Sequence, residues 1–203
     1  MNRPFPIFFA QDFEPHPDDA EAVKKLSEKY KRVSFKLNPK GRVWSVRANR
    51  MSDLDCSIIV GLPELIEVIT ARIYGRTSTF THLGFAKLCT HPKLNIFLDC
   101  WNLMLGDEAA IAVGNNTRLR WVHLGGCGVT NKGVRAISQA NQLLMLSLFH
   151  SEITDDAVPF LSELSNLRRL NIRNTKISKN SAMNLQNRLT RCSIDVLLPE
   201  FAG

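Results

Sequence analysis

Apolar positions recur along the second half of this chain at a fixed offset of 24 residues. Three copies stand in line: Leu119, Val122, Leu124 and Val129; Leu143, Leu146, Leu148 and Ile153; Leu167, Leu170, Ile172 and Ile177. Each begins with an alternating apolar pair, as a half-buried strand requires, and runs on into a segment of helical spacing. A unit this short cannot bury its own apolar side, so successive units must stack, and the period reads as a solenoid.

The pattern extends outward. The strand pairs are Trp44/Val46, Val68/Thr70, Ile96/Leu98, Val122/Leu124, Leu146/Leu148, Leu170/Ile172 and Ile194/Val196, at offsets of 24, 28, 26, 24, 24 and 24. Between Ile66 and Thr81 the register is open: Ile69/Ala71 would serve as well as Val68/Thr70 and would reverse every side chain of that strand. Helices are predicted over Ser52–Gly61, His82–Cys89, Asp107–Val113, Asn131–Ala140, Asp155–Leu164 and Lys179–Leu189. Several open on Thr or Ser beside Asp or Asn, residues that accept hydrogen bonds from the free N–H groups of a helix start.

The first 40 residues differ. Residues 1–14 read as an irregular arm. Pro17, Asp18 and Asp19 suit a helix start, and the spacing of Ala22, Val23, Leu26 and Tyr30 predicts an amphipathic helix to Tyr30. Arg32–Leu37 and Val43–Val46 alternate around Asn38-Pro39-Lys40-Gly41, which predicts a hairpin. The expected organisation is one domain: an arm over 1–14, an N-terminal cap over 15–41, repeats over 42–190, and an edge strand over 191–203 blunted by Asp195 and Pro199.

The consensus Leu-x-x-Leu-x-Leu-x-x-(Cys/Thr)-x-(Ile/Val)-Thr-(Asp/Asn), carried most fully by Leu119–Val134, resembles the cysteine-containing, ribonuclease-inhibitor-like subclass of leucine-rich repeats. In size the chain is similar to short bacterial proteins of that class. The resemblance covers 118–198 strongly and reaches back to Gly41 more weakly. It implies a right-handed α/β solenoid of about seven parallel strands on the concave face, with short helices on the convex face. No F-box stands in residues 1–40, so an adaptor role in ubiquitin ligation is not implied.

Strand positions that flank the apolar pairs would line the concave face. Phe97, Asp99, Trp121, His123, Met145, Phe149, Arg169, Asn171 and Arg173 are the candidate partner-binding residues, because exposed aromatics beside arginines have the composition of an interface hot spot. The irregular strands from Glu64 to Trp101, and the aromatics where they meet the regular ones, are the first place to look. The competing reading covers Trp121 or Phe149 with the apolar arm.

Composition narrows the rest. Five cysteines without a Cys-x-x-Cys pair argue against a disulfide framework or a zinc ribbon, and point to a reducing, cytoplasmic setting. No apolar run approaches the roughly 20 residues that span a bilayer. Gly125-Gly126-Cys127-Gly128 lacks the spacing of a phosphate loop, Asp155-Asp156 reads as helix-start chemistry, and His123, His150 and Cys127 match no metal spacing. No enzyme, cofactor or metal is therefore expected. Cys127 stands where other copies carry Ser151 and Thr175, a small group able to bond the backbone turn. The net charge is +7, from 26 basic and 19 acidic residues. Basic residues gather at Lys24–Arg50 and Arg168–Arg191. A solvated surface explains them, with nucleic acid or another acidic ligand as the alternative. The expected function is a non-catalytic module binding an unidentified protein, of unspecified oligomeric state.

Overall fold

The computed structural model describes residues 7–9, 14–30, 33–71, 79–100 and 103–196, with backbone alone at 7–9, 71 and 98–100. Nine strands form one sheet in which spatial order follows chain order. β1 (Ile7–Phe9), β2 (Val33–Leu37) and β3 (Val43–Asn49) are antiparallel neighbours. From β3 onward, β4 (Glu67–Ala71), β5 (Ile96–Cys100), β6 (Trp121–His123), β7 (Met145–Ser147), β8 (Arg169–Asn171) and β9 (Ser193–Asp195) add in parallel. α1 (Pro17–Lys29) precedes β2. The crossovers hold α2 (Asp53–Ile59), α3 (His82–Cys89), α4 (Gly106–Asn115), α5 (Asn131–Ile137), α6 (Val158–Glu163, entered through a 3-10 turn at Asp155–Ala157) and α7 (Lys179–Arg188). The seven parallel strands make the α/β solenoid that the periodicity predicts.

The core runs the length of the sheet. Val46, Val68, Phe97, Val122, Leu146, Leu170 and Ile194 are register neighbours, buried from Val46 to Leu170. Leu65, Leu94, Leu119, Leu143 and Leu167, three residues earlier, are buried beside them. Each such side chain contributes about 1.5–3 kcal/mol on leaving water. Four residues after the central strand position the backbone turns left-handed, at Arg50, Gly126, His150 and Asn174.

The open register at β4 resolves as Val68 and Thr70 inward, with Ile69 half-buried. Two other expectations are corrected. In β3 the inward pair is Val46/Ala48, two residues beyond Trp44/Val46, so Ser45 shares a column with Glu67 and Trp121. In β5 the expected Ile96/Leu98 pair gives way to Phe97, which is 0% exposed, edge-on to Phe85 at 4.5 Å and 6.2 Å from Phe80. Such ring pairs add about 0.5–1.5 kcal/mol beyond area burial, and that favours Phe97 inward.

The helix starts link neighbouring repeats. Thr81 donates its N–H and hydroxyl to the Asp53 carboxylate at 2.8 and 2.7 Å. Thr130 does the same to Asp107, at 2.8 and 2.7 Å. Thr154 donates its N–H to Asn131 Oδ1 at 2.9 Å, and Ser178 donates to Asp155 at 2.7 Å. An acidic or amide residue in the first turn of α2, α4, α5 and the α6 segment therefore serves the next repeat. Gly84 and Gly133 make room for it: an added Cβ would stand 2.2 and 2.3 Å from the Asp53 and Asp107 oxygens.

At the N-terminal end, Ile7–Phe9 is a strand and not irregular arm. It extends the sheet edge beside β2, and so does not lie across the open face of β6–β9. β2 seats Phe35 opposite Val46. α1 buries Val23 and Leu26, and its Asp19 accepts the Val43 N–H at 2.7 Å. Lys29 donates to both oxygens of Asp55 in α2, at 2.8 and 2.9 Å, and Tyr30 and Ser52 donate to the same carboxylate.

Candidate functional site: the open face of the parallel sheet

Alternation along parallel strands sends one set of side chains into the core and the other out over the open face. The first outward column is Ser45, Glu67, Ile96, Trp121, Met145, Arg169 and Ser193; the second ends in His123, Ser147, Asn171 and Asp195. The two ends of the face differ. Over β3 and β4, Glu67 is buried beneath Lys36 and Ser45, both of which donate to it, and Lys36 also lies 4.8 Å over the Trp44 ring. That end is closed by its own hydrogen bonds.

Over β6–β9 the face opens into a hollow of about 440 Å³ lined by Trp121, His123, Met145, Ser147, Arg169, Asn171, Ser193 and Asp195. Trp121 is 36% exposed on one side. Arg169, opposite, is exposed and forms no ion pair among the described residues. Arg173 pairs with Asp195 at 3.6 Å, and its N–H donates to Asn171 Oδ1 at 3.1 Å. Ser147 is 2% exposed, and its hydroxyl finds no hydrogen-bond partner among the described residues. A screened, unsatisfied hydroxyl costs about 1–3 kcal/mol.

Of the candidate residues, Trp121, His123, Met145, Arg169 and Asn171 share this hollow, with Arg173 at its margin. Phe149 is corrected: it is 9% exposed, tilted 5.4 Å from His123, and its ring occupies the space a Gly125 side chain would need. Phe97 leaves the site for the core. Asp99 is the register partner of Thr70, and its side chain lies outside the described residues. The hollow thus lies at the regular end of the sheet and not over the irregular strands. Ser147, Ser193 and Asp195 were not singled out. The 24-residue step from His123 through Ser147 and Asn171 leads directly to Asp195.

Thiols and histidines add no second centre. Burial pushes the Cys56 and Cys89 thiols up to about 12, away from nucleophilic character. Cys127 donates to the Gly125 carbonyl at 3.6 Å, as Ser151 and Thr175 donate to Leu148 and Ile172. Among the described residues no group of three or more His, Cys, Asp or Glu could hold a metal, and no helix is long and apolar enough to cross a membrane.

No family model and no curated protein matches the sequence. Among solved structures, an internalin from Listeria monocytogenes superposes with a TM-score of 0.53 at 19% identity, over 76% of this chain. The fold is that of a leucine-rich-repeat protein. This leucine-rich-repeat chain spans 40% of that internalin. A leucine-rich-repeat protein of Leptospira interrogans aligns over 73% of this chain and 34% of its own, at 17% identity and a TM-score of 0.42. At 19% identity the likeness to the internalin speaks for the leucine-rich-repeat fold alone.

Proposed function

We propose that this leucine-rich-repeat protein is a non-catalytic module that holds a protein partner on the open, concave face of β6–β9. One observation carries the reading: a hollow of about 440 Å³ joins an exposed Trp121 to Arg169, which forms no ion pair among the described residues. Trp and Arg are the residues on which binding energy concentrates, and the hollow offers a place where both can be desolvated. The opposite end of the face, where Glu67 is already satisfied by Lys36 and Ser45, has less to gain from a partner.

Residues 1–203 form a single domain in this reading. α1 and the β2–β3 hairpin cap the first repeat over 15–41, and β9 closes the other end. The Cys127, Ser151 and Thr175 contacts support assignment to the cysteine-containing subclass. The free thiols of Cys56, Cys89 and Cys192 fit the reducing cytoplasm. Trp121→Ala combined with Arg169→Ala tests the site. Affinity capture of a partner from the native extract should weaken about thirtyfold or more, the loss expected of two hot-spot residues, while circular dichroism stays unchanged. Undiminished capture by a folded double variant would reject the open face as the binding surface.

A further inference from the structure

A second hollow lies outside that face, on the solenoid edge where the chain turns from helix into strand. It has a volume of about 360 Å³, between the turns that lead into β5 and β6. Lys93, Arg118 and Arg120 line it, with Asn95 and Thr117, and no carboxylate shares the lining. Lys93 is steadied by Glu64 at 2.6 Å. Arg118 and Arg120 are exposed and form no ion pair among the described residues. Their arrangement follows from the backbone. Arg118 and Arg120 flank buried Leu119 in the turn that leads into β6, while Asn95 accepts the Arg120 and Trp121 N–H groups at 2.8 and 3.1 Å through its carbonyl. That bonding sets the two turns side by side.

The fold does not require these cations. One repeat later the places of Arg118 and Arg120 are taken by Gln142 and Leu144, and the repeat after that has Asn166 at the first of them. The same turn is built in the next two repeats, since the Arg120 carbonyl accepts the Leu144 and Met145 N–H groups and the Leu144 carbonyl those of Arg168 and Arg169. Lys93 has Glu64 beside it, but Arg118 and Arg120 have no acid paired with them among the described residues, and their mutual repulsion is relieved by an anion that accepts from both guanidinium forks. Guanidinium geometry matches phosphate oxygens in pairs.

We propose that this edge hollow binds a small phosphate anion of the diphosphate class, held by Arg118 and Arg120 with Lys93 at its rim. The site is distinct from the open face and does not depend on the protein-binding reading. It also differs from the basic stretches at Lys24–Arg50 and Arg168–Arg191.

Inorganic pyrophosphate titrated into the uniformly ¹⁵N-labelled full chain, at constant ionic strength, tests it. Saturable amide shifts are expected at 93–95 and 117–121, with half-saturation at or below about 1 mM, roughly 4 kcal/mol of binding. Citrate at the same charge, whose carboxylates are planar, should bind about tenfold more weakly. Arg118→Gln with Arg120→Leu installs the residues that the next repeat already carries, and so should fold. It is expected to weaken pyrophosphate about tenfold or more, since each charge-assisted bond is worth about 1.5–3 kcal/mol. Absence of saturation by about 10 mM in the parent chain, equal binding of citrate, or full binding by the double variant would each overturn the proposal; the parent titration alone decides should the variant fail to fold.

Discussion

His91 and Asn116 occupy one position of the repeat, three residues before Leu94 and Leu119. Asn116 Oδ1 accepts from the Arg118 and Leu119 N–H groups, both at 2.7 Å, and Nδ2 donates to the Cys89 carbonyl of the preceding repeat at 2.9 Å. His91 reproduces the pair: Nδ1 accepts from the Lys93 N–H at 3.2 Å, and Nε2 lies 3.0 Å from the Leu62 carbonyl. The proton therefore sits on Nε2, and a second proton would destroy the acceptor. Burial lowers the His91 pKa from its ordinary 6.5. As pH falls below about 6.5 the unfolded chain takes up the proton first, so stability declines from there down to the lowered folded value. His91→Asn should retain the fold at pH 7 and remove this part of the decline, read as urea midpoints between pH 7 and pH 5. His91→Ala should cost about 1–3 kcal/mol at both, by leaving the Lys93 N–H and Leu62 carbonyl without their partner. An undiminished acid decline in His91→Asn would assign the step to another group.

Elements were legible where the period was constant and ambiguous where it was not. β6–β9 repeat every 24 residues, and the sequence places their inward and outward positions correctly. Ile96-Phe97-Leu98 is a continuous apolar run, so alternation cannot select a face; the choice fell to Phe80 and Phe85, which approach only after folding. Phe149 was legible as an outward position but not as a buried one, because the room for its ring is supplied by Gly125 in another repeat. Ile7–Phe9 was too short, among its prolines, to read as a strand. The Thr-Asn and Thr-Asp pairs were legible as helix starts, while their service to the next repeat was not. Asp107→Ala tests that service. It removes the acceptor of the Thr130 N–H and hydroxyl and should cost about 1–2 kcal/mol in denaturant unfolding, with faster hydrogen exchange at Thr130. Asp156→Ala, in the first turn of the α6 segment, should stay within about 0.5 kcal/mol. Equal losses would reduce the ladder to a general preference for acids at helix starts.

At the scale of the molecule, a solenoid's stability is a sum over repeats and the contacts between neighbours, so its ends can open while its middle stays folded. The Asp55 carboxylate is a polar clasp at the N-terminal end, since Lys29 and Tyr30 donate to it across the α1–α2 junction and Ser52, the cap of α2, donates to it locally. Burial opposes its ionisation, yet the Lys29, Ser52 and Tyr30 hydrogen bonds outweigh burial and hold its pKa below the ordinary 3.8. The same bonding to Asp55, added to burial, pushes the Tyr30 phenol upward. With the folded pKa below the unfolded one, the clasp is fully present above about pH 3.8 and is lost as pH falls through the folded value. Asp55→Ala should reproduce that loss at neutral pH. Amides of α1 are expected to lose protection against hydrogen exchange, by a factor of about ten or more for a network worth at least one charge-assisted bond. Amides of α5 and α7, several repeats away, should exchange as before. Because the open hollow is built from β6–β9, the variant should also keep the Trp121 surface intact. A collapse of protection throughout the chain would mean that the end and the middle unfold as one unit, and that α1 with its hairpin belongs to the folding core instead of capping it.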